Sequence, residues 1–184
     1  MLPEVELDVH ALDVALDRSC QAFGNALSIH PIDVLVNNAG TGGRYVGLAE
    51  VDMADALKVY DTNALGPLRV TRALLPSLSA ARGKIVHVGS LMGSIGDNRS
   101  GRAYAYRMSK AALNMASLNL ALELRDAGIP SVVIHPGWVQ TDMGGPQYAS
   151  AVHVEGNGDP YDATVTQYIP EAATSSYAPG SRWQ

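Results

Sequence analysis

Apolar positions along this chain change their spacing several times, and each change marks an element. Ile32-Asp-Val-Leu-Val36 is apolar at four of five positions, as expected of a strand covered on both faces rather than of one that alternates inside and outside. Lys84–Val88 and Ser131–Ile134 repeat that pattern, and Val5–Val9 reads as a further short strand. Between these runs the period lengthens. Apolar residues at 12, 16, 23 and 27 predict a helix from Leu12 to Leu27, punctuated by Pro31. A second helical pattern runs from Met53 to Leu78 through Gly66-Pro67, where the proline's missing donor should kink or divide it. The third runs from Tyr104 to Ala127, apolar at 108, 112, 115, 116, 120 and 124, with Gly128 placed as its C-terminal cap.

Strand and helix therefore alternate, which predicts an α/β protein with a parallel sheet and helices on both faces. Residues 91–103 form a glycine-bearing loop that can reach over a site at the sheet's end. From Gly144 to Gln184 neither period persists, and Ala, Ser, Thr, Gly and Pro dominate. Residues 1–145 are thus expected to form the domain, and residues 146–184 a largely irregular tail.

Composition narrows the reading. A chain of 184 residues that is 47% hydrophobic supports one sizeable core. The net charge is −5 and the lysines stand alone at 58, 84 and 110, so no basic stripe exists to follow a nucleic-acid backbone. The single Cys20 has no internal disulfide partner and fits a reducing compartment. The acidic start lacks the profile of a signal peptide, and no apolar run reaches membrane-spanning length. The expectation is a soluble, cytoplasmic protein with no membrane partner. The five histidines, at 10, 30, 87, 135 and 153, show no paired metal spacing, and no metal is expected. Ser90 lacks a hydrolase elbow, because Val88 stands where Gly-x-Ser-x-Gly requires glycine.

In open parallel sheets, ligands bind at the carboxyl ends of the strands. Asp8, the run Asn37-Asn38-Ala39-Gly40, Ser90 and Pro136-Gly137 each follow a predicted strand, while Asn63 lies in one helix and Tyr106 with Lys110 in another. Tyr106 and Lys110 are four residues apart and share a helix face, so the ammonium can lie against the phenol and favour phenolate. Bringing a phenol from about 10 to near neutrality takes roughly 3 units, or about 4 kcal/mol. A desolvated ammonium together with a cationic cofactor ring could supply that. Tyr104, six residues before Lys110 on another helix face, is assigned to packing.

This ordered set resembles the short-chain dehydrogenase/reductase family, in its carbonyl-reductase and C-factor-like branch. The matching pieces are Leu7-Asp8-Val9, Asn37-Asn-Ala-Gly40, Asn63, Gly89-Ser90, Tyr106-Arg-Met-Ser-Lys110 and Pro136-Gly-Trp-Val-Gln-Thr141. The resemblance implies a Rossmann-like sheet and hydride transfer between a nicotinamide cofactor and a small carbonyl or alcohol. It makes Tyr106 the general acid and base, with Ser90 hydrogen-bonding the carbonyl oxygen. Lys110 would bind the ribose hydroxyls and lower the Tyr106 pKa, and Asn63 would hold a water linked to Lys110. On the cofactor side, Asp8 would meet the adenine. Asn38, Ala39 and Gly40 would pass the adenosine ribose, and Val139 and Thr141, after Pro136 and Gly137, would fix the carboxamide. NADP(H) is preferred over NAD(H) by the branch alone.

Two departures from the family pattern are expected to matter. No glycine-rich pyrophosphate turn precedes Asp8, so the pattern enters at what would be the third strand and reads as truncated at its N-terminus. The strand at 5–9 must then pair directly with that at 32–36 or stay loose, leaving an apolar edge. The alternative to an enzyme is a non-catalytic interaction or regulatory chain. Either could form a homodimer or a mixed dimer, since the resemblance places dimer contacts on the helices near 53–78 and 104–127.

Overall fold

The computed structural model describes residues 6–28 and 30–137. The predicted tail and the candidates Val139 and Thr141 lie outside them. Three strands, β1 (Val34–Asn37), β2 (Lys84–Val88) and β3 (Ser131–Ile134), form a parallel sheet in the order β1-β2-β3. Four helices accompany it: α1 (Asp17–Ala26), α2 (Met53–Tyr60), α3 (Gly66–Ala81) and α4 (Tyr104–Glu123).

Register fixes which residues look inward. Leu35 pairs with Ile85 and Asn37 with His87, and across the other seam Ile85 pairs with Ser131 and His87 with Val133. These six side chains share one face, because successive strand residues point to opposite sides. Onto it pack α3 and α4, with α1 against α3. The core gathers Cys20, Val70, Leu74, Leu78, Ile85, Leu124 and Ile129. Gly24 permits the α1–α3 approach, since a Cβ there would lie 2.5 Å from the Ala73 carbonyl oxygen. Helices α1, α3 and α4 lie on this face. On the other, Val34 and Val36 are 52% and 53% exposed.

Several expected boundaries move. Residues 6–9 form no strand, and Leu7 and Val9 are 82% and 79% exposed. A strand gains its stability from a neighbour's ladder, and no described strand lies beside them. Helix α1 begins at Asp17 rather than Leu12, because Asp13 turns the chain first. Its carboxylate accepts from the Ala15 N–H at 2.9 Å and its own N–H donates to Ser19 Oγ at 2.9 Å. The long helix at 53–78 is divided as expected, but upstream of the proline. Asp61–Leu65 form a π-helical turn, and Pro67 sits in the first turn of α3, where its missing N–H costs nothing. Helix α4 ends at Glu123, four residues short of the expected end, and Gly128 takes a left-handed φ of +71° in the turn that follows.

A polar belt crosses the apolar core. Asn37 Nδ2 donates to Thr71 Oγ1 at 3.4 Å on α3 and lies 3.3 Å from His87 Nδ1. An amide N–H can only donate, so Nδ1 accepts and the proton sits on Nε2, 3.2 Å from Ser131 Oγ. Ser131 Oγ in turn lies 2.9 Å from Ser117 Oγ on α4. The belt therefore ties both helices to all three strands through a fully buried imidazole.

Burial, with the charge of Lys110 adding to it, lowers the His87 pKa from 6.5 to about 4. The imidazole is neutral in the folded protein where the unfolded chain would already bind a proton. Stability should therefore be undiminished above pH 6.5 and fall as pH drops toward 4, by about 3 kcal/mol in total. Urea unfolding from pH 4 to 7 tests this: His87→Gln should flatten the slope relative to the parent, and an equally steep profile in both would refute it.

Candidate active site

The residues predicted for chemistry meet where β1 and β2 end against the first turns of α4. Helix α4 starts without a side-chain cap, from three consecutive left-handed residues, Gly101, Arg102 and Ala103. Ala103 is only 3% exposed and its N–H reaches the Val46 carbonyl at 3.2 Å. Left-handed geometry at a non-glycine residue is unfavourable, so the surroundings impose the position at which the helix begins. Its first two turns carry Tyr106, Ser109 and Lys110.

Lys110 Nζ lies 5.7 Å from the centroid of the Tyr106 ring and donates to the Val88 carbonyl at 2.8 Å. Its side chain runs through the interior to the end of β2 and is 5% exposed. Burial lowers its pKa from 10.5 to about 8. Tyr106 is partly buried, and desolvation raises the pKa of its phenol, an effect that the Ser90 hydroxyl facing it partly offsets. The expected depression of the Tyr106 pKa by Lys110 does not appear in the protein alone, where burial is the larger cause and the ammonium addresses the Val88 carbonyl.

Ser90 lies two residues past the end of β2, where its Oγ also accepts from the Met92 N–H at 3.1 Å. The turn that follows is pressed against α4, since a Cβ at Gly93 would lie 2.8 Å from the Lys110 carbonyl carbon. Asn114 Nδ2 holds the Gly93 carbonyl at 3.3 Å. The Ser90 turn thus rides on the helix that carries Tyr106.

Asn63, fully buried in the π-helical turn, turns its side-chain amide to protein partners. Its Oδ1 accepts from the Thr41 N–H at 2.8 Å, and its Nδ2 donates to the Thr41 carbonyl at 2.9 Å and to Ser109 Oγ at 2.9 Å. Both amide protons are spent within the protein. The clamp draws Gly40 in so closely that a Cβ there would stand 3.3 Å from Asn63 Oδ1 and 3.7 Å from Lys110 Nζ. Asn38, Ala39 and Gly40 remain exposed beside the ammonium.

Other candidates stand apart. Asp8 is exposed and pairs with His10 at 2.9 Å. Pro136 and Gly137 follow β3 as expected, Gly137 with a φ of +75°. Tyr104 is 39% exposed rather than packed. Sequence reading overlooked Ser109, Thr41 and His87. Ser109 had one signal, a hydroxyl between Tyr106 and Lys110 inside a helix, where serine is a modest helix former.

The donor set suits a nicotinamide cofactor. The ammonium has three N–H groups, of which one reaches Val88 and two have no acceptor among the described residues. Next to it lies a glycine whose missing Cβ keeps the approach open. Among the described residues no group of three or more His, Cys, Asp or Glu side chains converges, and no helix is long and apolar enough to cross a membrane.

Known proteins resemble this chain in sequence and in fold. The short chain dehydrogenase family model matches residues 3–151. C-signal of Myxococcus xanthus is 54% identical over 127 residues, covering 68% of this chain and 76% of that protein. The 1-hydroxy-2-glutathionyl-2-methyl-3-butene dehydrogenase of a Rhodococcus species is 37% identical over 137 residues, covering 72% and 58%. Among solved structures, a short-chain dehydrogenase/reductase of Burkholderia multivorans with bound NADP superposes with a TM-score of 0.68 at 35% identity, covering 77% of this chain and 62% of that one. The NADPH-bound carbonyl reductase from chicken fatty liver gives 0.68 and 35%, covering 75% and 60%. The chain thus spans less than two thirds of the Rhodococcus enzyme and of both solved chains.

The Lys110 shift is directly measurable. By NMR of the lysine side-chain nitrogens, Lys110 should lose its proton with a midpoint near pH 8, while Lys58 and Lys84 serve as references in the same spectra. A Lys110 midpoint at or above 10.5 would contradict the buried placement.

Proposed function

This chain belongs to the short-chain dehydrogenase family, and from that membership we propose that it is an NADP(H)-dependent oxidoreductase acting on a small carbonyl or alcohol, with Tyr106 as the proton donor. The observation that carries the reading is the convergence of Tyr106, Ser90, Lys110 and the Asn63 clamp at the carboxyl end of the sheet. Bound there, the cofactor would supply the hydride.

The protein's own residues supply the rest. A phenol whose pKa is raised by burial stays protonated at neutral pH, which suits it to protonate a carbonyl oxygen as charge develops there. Ser90, facing the phenol, offers a second hydrogen bond to the same oxygen. With a pKa of about 8, Lys110 remains largely charged at pH 7 and can bind a diol with the two donors not used by Val88. Asn38, Ala39 and Gly40 line the same approach, and Asp8, Pro136, Gly137, Val139 and Thr141 are carried as further cofactor contacts from the family pattern.

Partners are inferred from the surface. An apolar groove between α3 and α4, lined by Leu65, Leu68, Leu75, Leu120 and Leu124, is rimmed by Arg69, Arg72 and Glu123. This face supports a homodimer, or a mixed dimer with a relative, through the helices expected for it. The same face favours the second reading, a non-catalytic interaction chain.

Titration with NADPH and NADH, followed by nicotinamide fluorescence, separates the two readings: saturable binding supports the enzyme, and none in a folded sample supports the interaction chain. On a carbonyl substrate turned over by the parent, Tyr106→Phe should lower kcat by about 10³-fold or more, within the range for losing a proton donor; unchanged turnover would dismiss the role. For the dimer, Leu68→Glu with Leu120→Glu should convert a sedimenting dimer to monomer at micromolar concentration, and a parent that is already monomeric would refute the interface.

A further inference from the structure

We infer that Ser109 is a positioning residue that sets the loop carrying Asn38–Thr41 against the helix carrying Tyr106 and Lys110. The inference rests on the proposed cofactor site, because Asn38–Gly40 and Lys110 Nζ are among the groups assigned to the cofactor's sugar moieties.

Ser109 is fully buried. Its hydroxyl donates to the Tyr106 carbonyl at 2.8 Å and accepts from Asn63 Nδ2 at 2.9 Å. A serine in a helix often bonds back to its own preceding turn, a local matter of little consequence. Here the oxygen has a second duty. It receives the amide that grips both backbone groups of Thr41, so one hydroxyl joins the loop after β1, the π-helical turn and the first turn of α4.

The chain of bonds has one weak point. Asn63 can satisfy its second N–H only at Ser109, since the first is spent on the Thr41 carbonyl. Removing the hydroxyl leaves a buried amide proton unpaired, and the amide's remedy is to turn about its terminal torsion toward another acceptor. That turn would release Thr41 and let Gly40 drift from Lys110 Nζ. The arrangement explains why the position carries a hydroxyl rather than the alanine that helix propensity would favour.

Amide hydrogen exchange tests the role without any cofactor. Ser109→Ala should speed exchange of the Thr41 N–H by about tenfold, the equivalent of one lost hydrogen bond, relative to amides of β2 and β3. The control is Ser117→Ala, which removes an equally buried hydroxyl of the same helix at its contact with Ser131. It should leave Thr41 unchanged even if it lowers Tm as much. Thr41 exchange unaltered in Ser109→Ala, or accelerated equally in both variants, would overturn the inference. NADPH titration of the same proteins then tests the link to the site. If the parent binds, Ser109→Ala should weaken binding by about tenfold and Ser117→Ala should not; if the parent fails to bind, the reading of the cofactor site falls while the exchange result still decides the clamp.

Discussion

A carboxamide placed where no water can reach it must find partners within the protein, and the geometry around the site follows from how Asn63 finds them. An unpaired amide in a low-dielectric interior costs on the order of 1–3 kcal/mol per lost bond. Asn63 escapes that cost through three bonds to Thr41 and Ser109. Meeting them requires a widened helical turn that presents the side chain at the right height, a loop residue whose N–H and C=O both face it, and a glycine that leaves room. The segments after β1, before α3 and at the start of α4 therefore cannot move independently.

The same dryness governs the charges. Lys110 is pushed toward its neutral form and Tyr106 away from its charged form, so the environment opposes ionisation of both. Without a further positive charge nearby, the pair is an ammonium beside a phenol rather than an ammonium beside a phenolate. Such a site is poised to give a proton. Taking one, as alcohol oxidation would require, calls for charge beyond what the described residues hold. For the reaction proposed above, the protein's own residues would thus prepare reduction more readily than oxidation.

How much of this was legible depends on how local its cause is. Lys84–Val88 and Ser131–Ile134 fall where their apolar runs place them, and the α4 start at Tyr104 also agrees, because those signals are written in contiguous residues. Of the strand expected at 5–9, the described residues 6–9 form none, since pairing is a property of a neighbour and not of the run itself. Gly66-Pro67 announced a break in the long helix, but the proline begins α3 comfortably and the irregular turn lies just before it. Tyr106 and Lys110 could be paired by spacing. What Lys110 addresses could not, because the Val88 carbonyl is 22 residues away in the chain. His87 and Ser109 carried weaker signals, a titratable ring inside an apolar strand run and a hydroxyl inside a helix. Neither signal named its partners.

The π-helical turn at Asp61–Leu65 has a meaning for how this chain can change. A turn closed by bonds to the fifth residue rather than the fourth holds one residue more than an α-helix needs, so α2 and α3 are two helices out of phase rather than one helix that bends. Deleting a single residue there would let the ladder close as ordinary α-helix with α3 still facing the sheet, whereas a deletion within the regular turns of α3 would turn everything after it by about 100°. What the shortened turn would lose is the widened loop of backbone that presents Asn63 to Thr41 and Ser109. The surplus residue therefore serves the side chain it displays rather than the course of the helices on either side.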